Sequence, residues 1–205
     1  MRYLPPGILK RSPTREPGAP PPMTSTVQDS TLDLRYPTGR FQRPAQLDAD
    51  ARTRAIEIVT ATPGRLRDAI RGLTEAQLDT PYRPEGWTVR QVAHHVPDSH
   101  LNAYVRFKLA LTENEPTIKP YEENLWAELA DVKAVPVETS LTLLEAVHER
   151  WVAILRAMTP ADFERRLVHP ESGVQRLDQV LALYAWHGPH HIAQITSLRE
   201  RMGWK

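Results

Sequence analysis

Tyr184–Ile195 reads YAWHGPHHIAQI, inside a longer helical pattern that runs from about Asp178 to Met202. On a helix, positions i, i+3, i+4 and i+7 share one face. One such row is Val180, Tyr184, His187, His191, Ile195, Leu198 and Met202. It is an apolar stripe with two imidazoles set into it. A stripe of this width must be buried against other elements, so the segment belongs to a packed helical domain. His190 falls about 100° off the row, at its side. Pro189 stands between His187 and His191, where it removes one backbone hydrogen bond and tends to kink the helix.

Three further segments carry the same period. ADARTRAIEIVTATPGRLRDAIRGL, from Asp48 onward, places Ala55, Ile56, Ile58, Val59, Leu66 and Ile70 at spacings of three and four, with Pro63 as a kink. TEAQ at 74–77 and TVRQ at 88–91 are capping-box patterns, in which a threonine caps free N–H groups and a glutamine returns the bond. The second box opens a helix from Val89 to Thr112, with Trp87 placed for a hydrophobic staple. A third long helix is predicted from Ser140 to Met158. Residues 113–137 hold Pro116, Pro120 and Pro136 and read as loop, with one short helix at NLWAELA. TPADF starts another short helix with proline in the tolerated first turn. RLVHPESGVQRL then reads as a turn or a small hairpin around Ser172-Gly173. Four long amphipathic segments with few strand signals predict an all-α, four-helix bundle with short extra helices.

The chain has 205 residues, enough for one domain with a full core, and no cysteine. It therefore has no disulfide, no thiolate metal ligand and no thiol nucleophile of its own. A net charge of +1 argues against a nucleic-acid partner. No apolar run approaches about 18 residues, so no membrane span is expected, and no signal-peptide core is visible. A cytoplasmic protein acting on a small molecule is the default reading. Residues 1–22 differ from the rest: they hold seven prolines and four basic residues against Glu16. They are expected to be a disordered extension, with Met23 a candidate start and residues 23–205 a single metal-binding domain.

Two inward imidazoles at i, i+4 project ring nitrogens to one point, as helices do when they supply two ligands of a zinc-type site. The alternative is a hydrogen-bonded pair of core histidines. Burying both rings is costly unless each nitrogen finds a partner, which a metal provides at one of them. The second histidine cluster is HHVPDSH, 94–100. Its helix carries the apolar row Val89, Val92, Val96, Ala103 and Phe107. His94 points away and reads as a surface residue. His100 lies near the row and His95 flanks it, so periodicity selects His100 as a third ligand, with Pro97 softening the phase. His148 and His169 read as ordinary surface or packing residues.

YPTGRF (36–41), the run from Leu78 to Glu113, ALYAWHGPHHIAQI (182–195) and RMGW (201–204), in this order and spacing, resemble the YfiT-type branch of the DinB-like metalloprotein superfamily. Its members are described by name as metal-dependent hydrolases, and some are bacillithiol S-transferases. The resemblance spans about Leu34 to the C-terminus. It implies a four-helix bundle, often a homodimer, with a three-histidine site for one divalent metal per chain, zinc before nickel. In the family the first ligand precedes a hydrophobic-x-Asp that follows W-[ST]-V-R-x-V. That position is His95, and the other two ligands match His187 and His191. The resemblance thus replaces His100 by His95 and leaves His100 as a support for a ligand or a residue facing the substrate. Pro97 departs from the family's small helix former, and Pro189 leaves the aim of the ligand pair open.

Three neutral imidazoles leave an open position, as catalytic zinc sites do. Three functions follow: metal-assisted hydrolysis of a small molecule, transfer of an external low-molecular-weight thiol to an electrophile, or a non-enzymatic metal-binding dimer. The first lacks an evident general base, Asp98 pointing away on an ideal helix. The second needs an external thiol, whose carboxylates Arg106 and Lys108 could hold, though both also suit a solvated basic face.

Overall fold

Asp48 caps the first helix, its carboxylate accepting from Ala51 N at 2.7 Å, and opens α1 (Ala49–Ile70). The computed structural model describes residues 33–205; the expected extension at 1–22 lies outside the described residues. Both predicted capping boxes are formed. Thr74 and Gln77 open α2 (Glu75–Leu78), and Thr88 and Gln91 open α3 (Val89–Thr112). The predicted single helix at NLWAELA is two short ones, α4 (Glu123–Trp126) and α5 (Ala130–Ala134). α6 (Val137–Ala157) begins three residues before the predicted start, because Pro136, with φ of −58°, stands at its N-cap. Thr159 caps α7 (Pro160–Glu164), which has proline in its first turn.

The predicted hairpin is present as β1 (Arg166–His169) and β2 (Gly173–Arg176), antiparallel with Val168 opposite Val174. Gly173, at φ of 75°, makes the turn that most side chains would strain. α8 (Leu177–Met202) follows at once and ends at Gly203 in the left-handed conformation, with Trp204 N donating to Arg199 O at 2.9 Å. α1, α3 and α8 run unbroken through Pro63, Pro97 and Pro189. Each proline lies inside its helix rather than at an end.

The four long helices form a bundle in which α1 packs on α6 and α8, and α3 also packs on α6 and α8. Helices that follow one another along the chain, α1 with α3 and α6 with α8, are therefore diagonal. The packing makes α3 and α8 neighbours, and these are the helices that carry the histidine motifs. A strap, residues 33–47, which begins with two turns, lies along α8. Gln194 Nε2 donates to Arg35 O at 3.1 Å and Trp186 Nε1 to Gly39 O at 3.1 Å. Leu47 N donates to the fully buried Asp178 at 3.1 Å.

The apolar core is in two parts. One surrounds Phe107, Trp151 and Leu181; the other surrounds Leu66, Val96, Leu144 and Ile195. Between them every long helix contributes a polar residue: Thr62, His100, His148 and His187. The candidate site is built on this belt. No helix among the described residues is long and apolar enough to cross a membrane.

Candidate metal centre

His95 projects from α3, and His187 and His191 from successive turns of α8. One ring nitrogen from each lies within 4.8 Å of the others. Nε2 of His95 and Nε2 of His187 are 3.4 Å apart. The rings of His187 and His191 meet edge to face, with centroids 4.5 Å apart, as an i, i+4 pair on an unbroken helix should. Pro189 therefore leaves the pair converging.

Burial holds all three rings uncharged at neutral pH. His95 is pushed down to about 4 by desolvation. His187 and His191 are held well below the ordinary histidine range by burial first, and then by the neighbouring histidines. Neutral imidazoles are the form that binds a metal.

The cluster fits such an ion. Tetrahedral zinc with bonds of about 2.0–2.1 Å sets its nitrogens about 3.3–3.4 Å apart, close to the His95–His187 separation. Three imidazoles with no carboxylate or thiolate suit zinc and nickel, and also copper and iron. His187 keeps partial exposure, so the cluster is not sealed. A hollow of about 430 Å³ reaches His191 from outside, walled by Arg35, Tyr36, Tyr82, Arg83 and Trp87. Trp87 packs on His95 at 4.6 Å and lies parallel to His191 at 6.3 Å. The residue expected as a staple thus covers the cluster as well. On the inner side, Ser99 Oγ stands 3.4 Å from His187 Nε2, and Tyr184 Oη donates to Ser99 O at 3.1 Å.

His100, the choice of periodicity alone, is one layer back. It is fully buried, and its Nε2 lies 3.2 Å from His187 Nδ1. Its Nδ1 lies 2.8 Å from His148 Nε2, and His148 Nδ1 is 2.8 Å from Val59 O. His148 is thus more than the ordinary residue its surroundings suggested. The signal was available: Leu141, Leu144, His148, Trp151 and Leu155 form one buried row of α6. Gln194, which the sequence reading passed over, accepts from His191 Nδ1 at 2.8 Å. His190 lies beside the pair, as expected, stacked on Trp186 at 4.3 Å.

His94 corrects the reading of its face as surface. It is 5% exposed, and its Nδ1 meets Ser140 Oγ at 2.7 Å. α5 packs on α3 and the first turn of α6 closes over this side, so a face that would be solvated on an isolated helix is covered. His169 is half-buried at the end of β1, accepting from Glu171 N at 3.2 Å in the turn. Asp98 is half-buried and outside the cluster, its carboxyl raised to about 6 by burial and then by Asp131.

Fold and site define a helical bundle with an interior three-histidine cluster. The chain belongs to the DinB superfamily, whose model matches residues 58–195. A protein of Bacillus mycoides strain KBAB4 named "Putative metal-dependent hydrolase" is 54% identical over 172 residues, covering 84% of this chain and 99% of the relative. One of the same name from Bacillus cereus strain 03BB102 is 52% identical with the same coverage. Among solved structures, YfiT from Bacillus subtilis, described as "a probable metal-dependent hydrolase with an unusual four-helix bundle topology", matches with a TM-score of 0.82 at 45% identity. That match covers 85% of this chain and all of YfiT.

Proposed function

We propose that this protein is a metal-dependent hydrolase of a small molecule, with His95, His187 and His191 holding one divalent ion, zinc before nickel. The observation that carries the reading is the convergence of three neutral imidazoles, one of which, His191, lines an open hollow. A bound ion of this kind supplies polarisation of a carbonyl and acidification of water, to a pKa of about 7 for zinc. The chain supplies the rest. Trp87 shields one flank of the cluster from solvent, and Tyr184 and Ser99 present hydroxyls on the inner side. A hollow of about 430 Å³ is of a size for a small-molecule substrate.

A second reading is transfer of an external low-molecular-weight thiol. It is favoured by a smaller cavity of about 170 Å³ where Arg43 and Arg106 converge beside Tyr184, which itself packs on His187. Two cations there suit the carboxylates of such a thiol. Lys108, by contrast, is exposed.

One experiment separates the two. The zinc- or nickel-loaded protein is offered an ester and amide panel, and in parallel a thiol with an electrophilic dye. Turnover of the panel without thiol supports hydrolysis. Turnover that depends on thiol, with an untouched panel, would overturn it. Elemental analysis of the purified protein should give about one metal per chain. Less than about 0.1, unchanged in His95→Ala, removes the premise of both.

A further inference from the structure

A peptide carbonyl can only accept a hydrogen bond, and a neutral imidazole carries a single N–H. Val59 O therefore takes the proton of His148 Nδ1, at 2.8 Å. His148 Nε2 is then bare and accepts from His100 Nδ1, also at 2.8 Å. His100 Nε2, bare in turn, accepts from His187 Nδ1 at 3.2 Å. Every ring in this series is forced into the Nδ1–H form, and the series ends with an unprotonated Nε2 of His187 in the cluster.

His191 is fixed in the same way from the other side. Arg35 O takes the amide N–H of Gln194 at 3.1 Å, which orients the side chain and leaves its oxygen as acceptor. That oxygen takes the proton of His191 Nδ1 at 2.8 Å, and His191 Nε2 is left bare. His95 Nδ1 has no such partner among the described residues. Its Nε2 faces His187 Nε2 at 3.4 Å and is free to carry or give up the proton.

We propose that the peptide carbonyls of Val59 and Arg35 set the tautomers of His187 and His191, with His148, His100 and Gln194 as the positioning residues that transmit them. Both series start at a carbonyl, which has no proton to give, so they aim lone pairs and conduct no proton away. The tautomer assignment stands on hydrogen bonding alone. Its bearing on metal affinity rests on the function proposed above.

The test is long-range proton–nitrogen correlation NMR on the metal-free, ¹⁵N-labelled full chain. His100, His148, His187 and His191 are expected as Nδ1–H tautomers, while His95 is not so constrained. His187 or His191 found as Nε2–H would overturn the proposal. His148→Leu should leave His187 as a mixture of tautomers and weaken Zn²⁺ binding, read by competition with a chromophoric chelator, about tenfold or more. His148→Gln, whose amide can donate to Val59 and accept from His100 together, should restore both. Unchanged tautomer and affinity in His148→Leu would also overturn it. If His148→Leu does not fold, the wild-type spectrum and Gln194→Leu, read at His191, decide. Zn²⁺ that fails to bind while the Nδ1–H pattern holds would overturn the role in metal binding, and with it the proposed function, while the tautomers stand.

Discussion

Gly188 of α8 lies directly against Thr62 of α1: a Cβ on the glycine would stand 2.6 Å from Thr62 Cγ2 and 2.8 Å from its Oγ1. Thr62 is buried and its hydroxyl donates to Ile58 O at 2.9 Å, so it has little room to move. Gly188→Ala gains up to about 1 kcal/mol of helix propensity but overpacks this contact by about 1–3 kcal/mol. Net destabilisation is expected. Thr62→Ala removes the two closest atoms, so the double variant should be more stable than the sum of the singles by about 1 kcal/mol. Urea denaturation of all four proteins measures the coupling, and strict additivity would refute the contact.

Adjacent histidines should behave as opposites. His95→Ala is expected to reduce bound metal from about one per chain to near zero. His94→Ala should retain the metal and lose about 1 kcal/mol of stability with the Ser140 bond. Metal analysis alongside thermal melts distinguishes them. Loss of metal in His94→Ala with full retention in His95→Ala would place the third ligand wrongly.

Acid should destabilise the metal-free protein. His94, His95, His100, His148, His187, His190 and His191 are all held below 6.5, burial being the first cause in each. In the unfolded chain they take up protons as the pH falls through about 6.5. In the fold His95, His148 and His190 do so only near 4. The native state thus binds fewer protons, so the stability is complete above 6.5 and falls as the pH drops toward 4. Asp98 opposes this: its folded value of about 6 adds stability as the pH falls through that point. Seven groups outweigh one. Urea midpoints from pH 8 to 4.5 should show a plateau and then a steep decline, and a flat profile would contradict the burial of neutral imidazoles.

The start of α3 is a testable anchor. Thr88 caps the helix, with Gln91 N donating to its hydroxyl at 3.1 Å, and Gln91 Nε2 donates to Ala127 O at 3.1 Å. Thr88→Ala should cost about 0.5–2 kcal/mol. Gln91→Ala should cost at least as much, because it also frees the loop before α5. Melting temperatures rank the two, and a neutral Gln91→Ala would show that the loop is held elsewhere.

The long helices were legible because their signals are local. Apolar spacing, two capping boxes and Gly173 in its turn need no knowledge of the partner surface. The inward pair His187 and His191 was legible for the same reason. His95 was legible only through the family resemblance and His94 was misread, because their exposure depends on which neighbours cover α3. An ideal helix placed His95 at the edge of the stripe, and only the packing of α8 against α3 brings it to the pair. His148 shows the complementary failure: its row was readable, but its role depends on Val59 and His100, distant in sequence.

His95 and His187 meet across 92 residues of sequence, because the diagonal order of the helices pairs α3 with α8. Contacts of such long range slow folding. The three rings converge only when α8 is packed against α3. The complete three-histidine cluster therefore exists only where α3 and α8 have come together. An ion held by the completed cluster would draw folded molecules out of the unfolding equilibrium, so metal supply would lengthen the life of each copy.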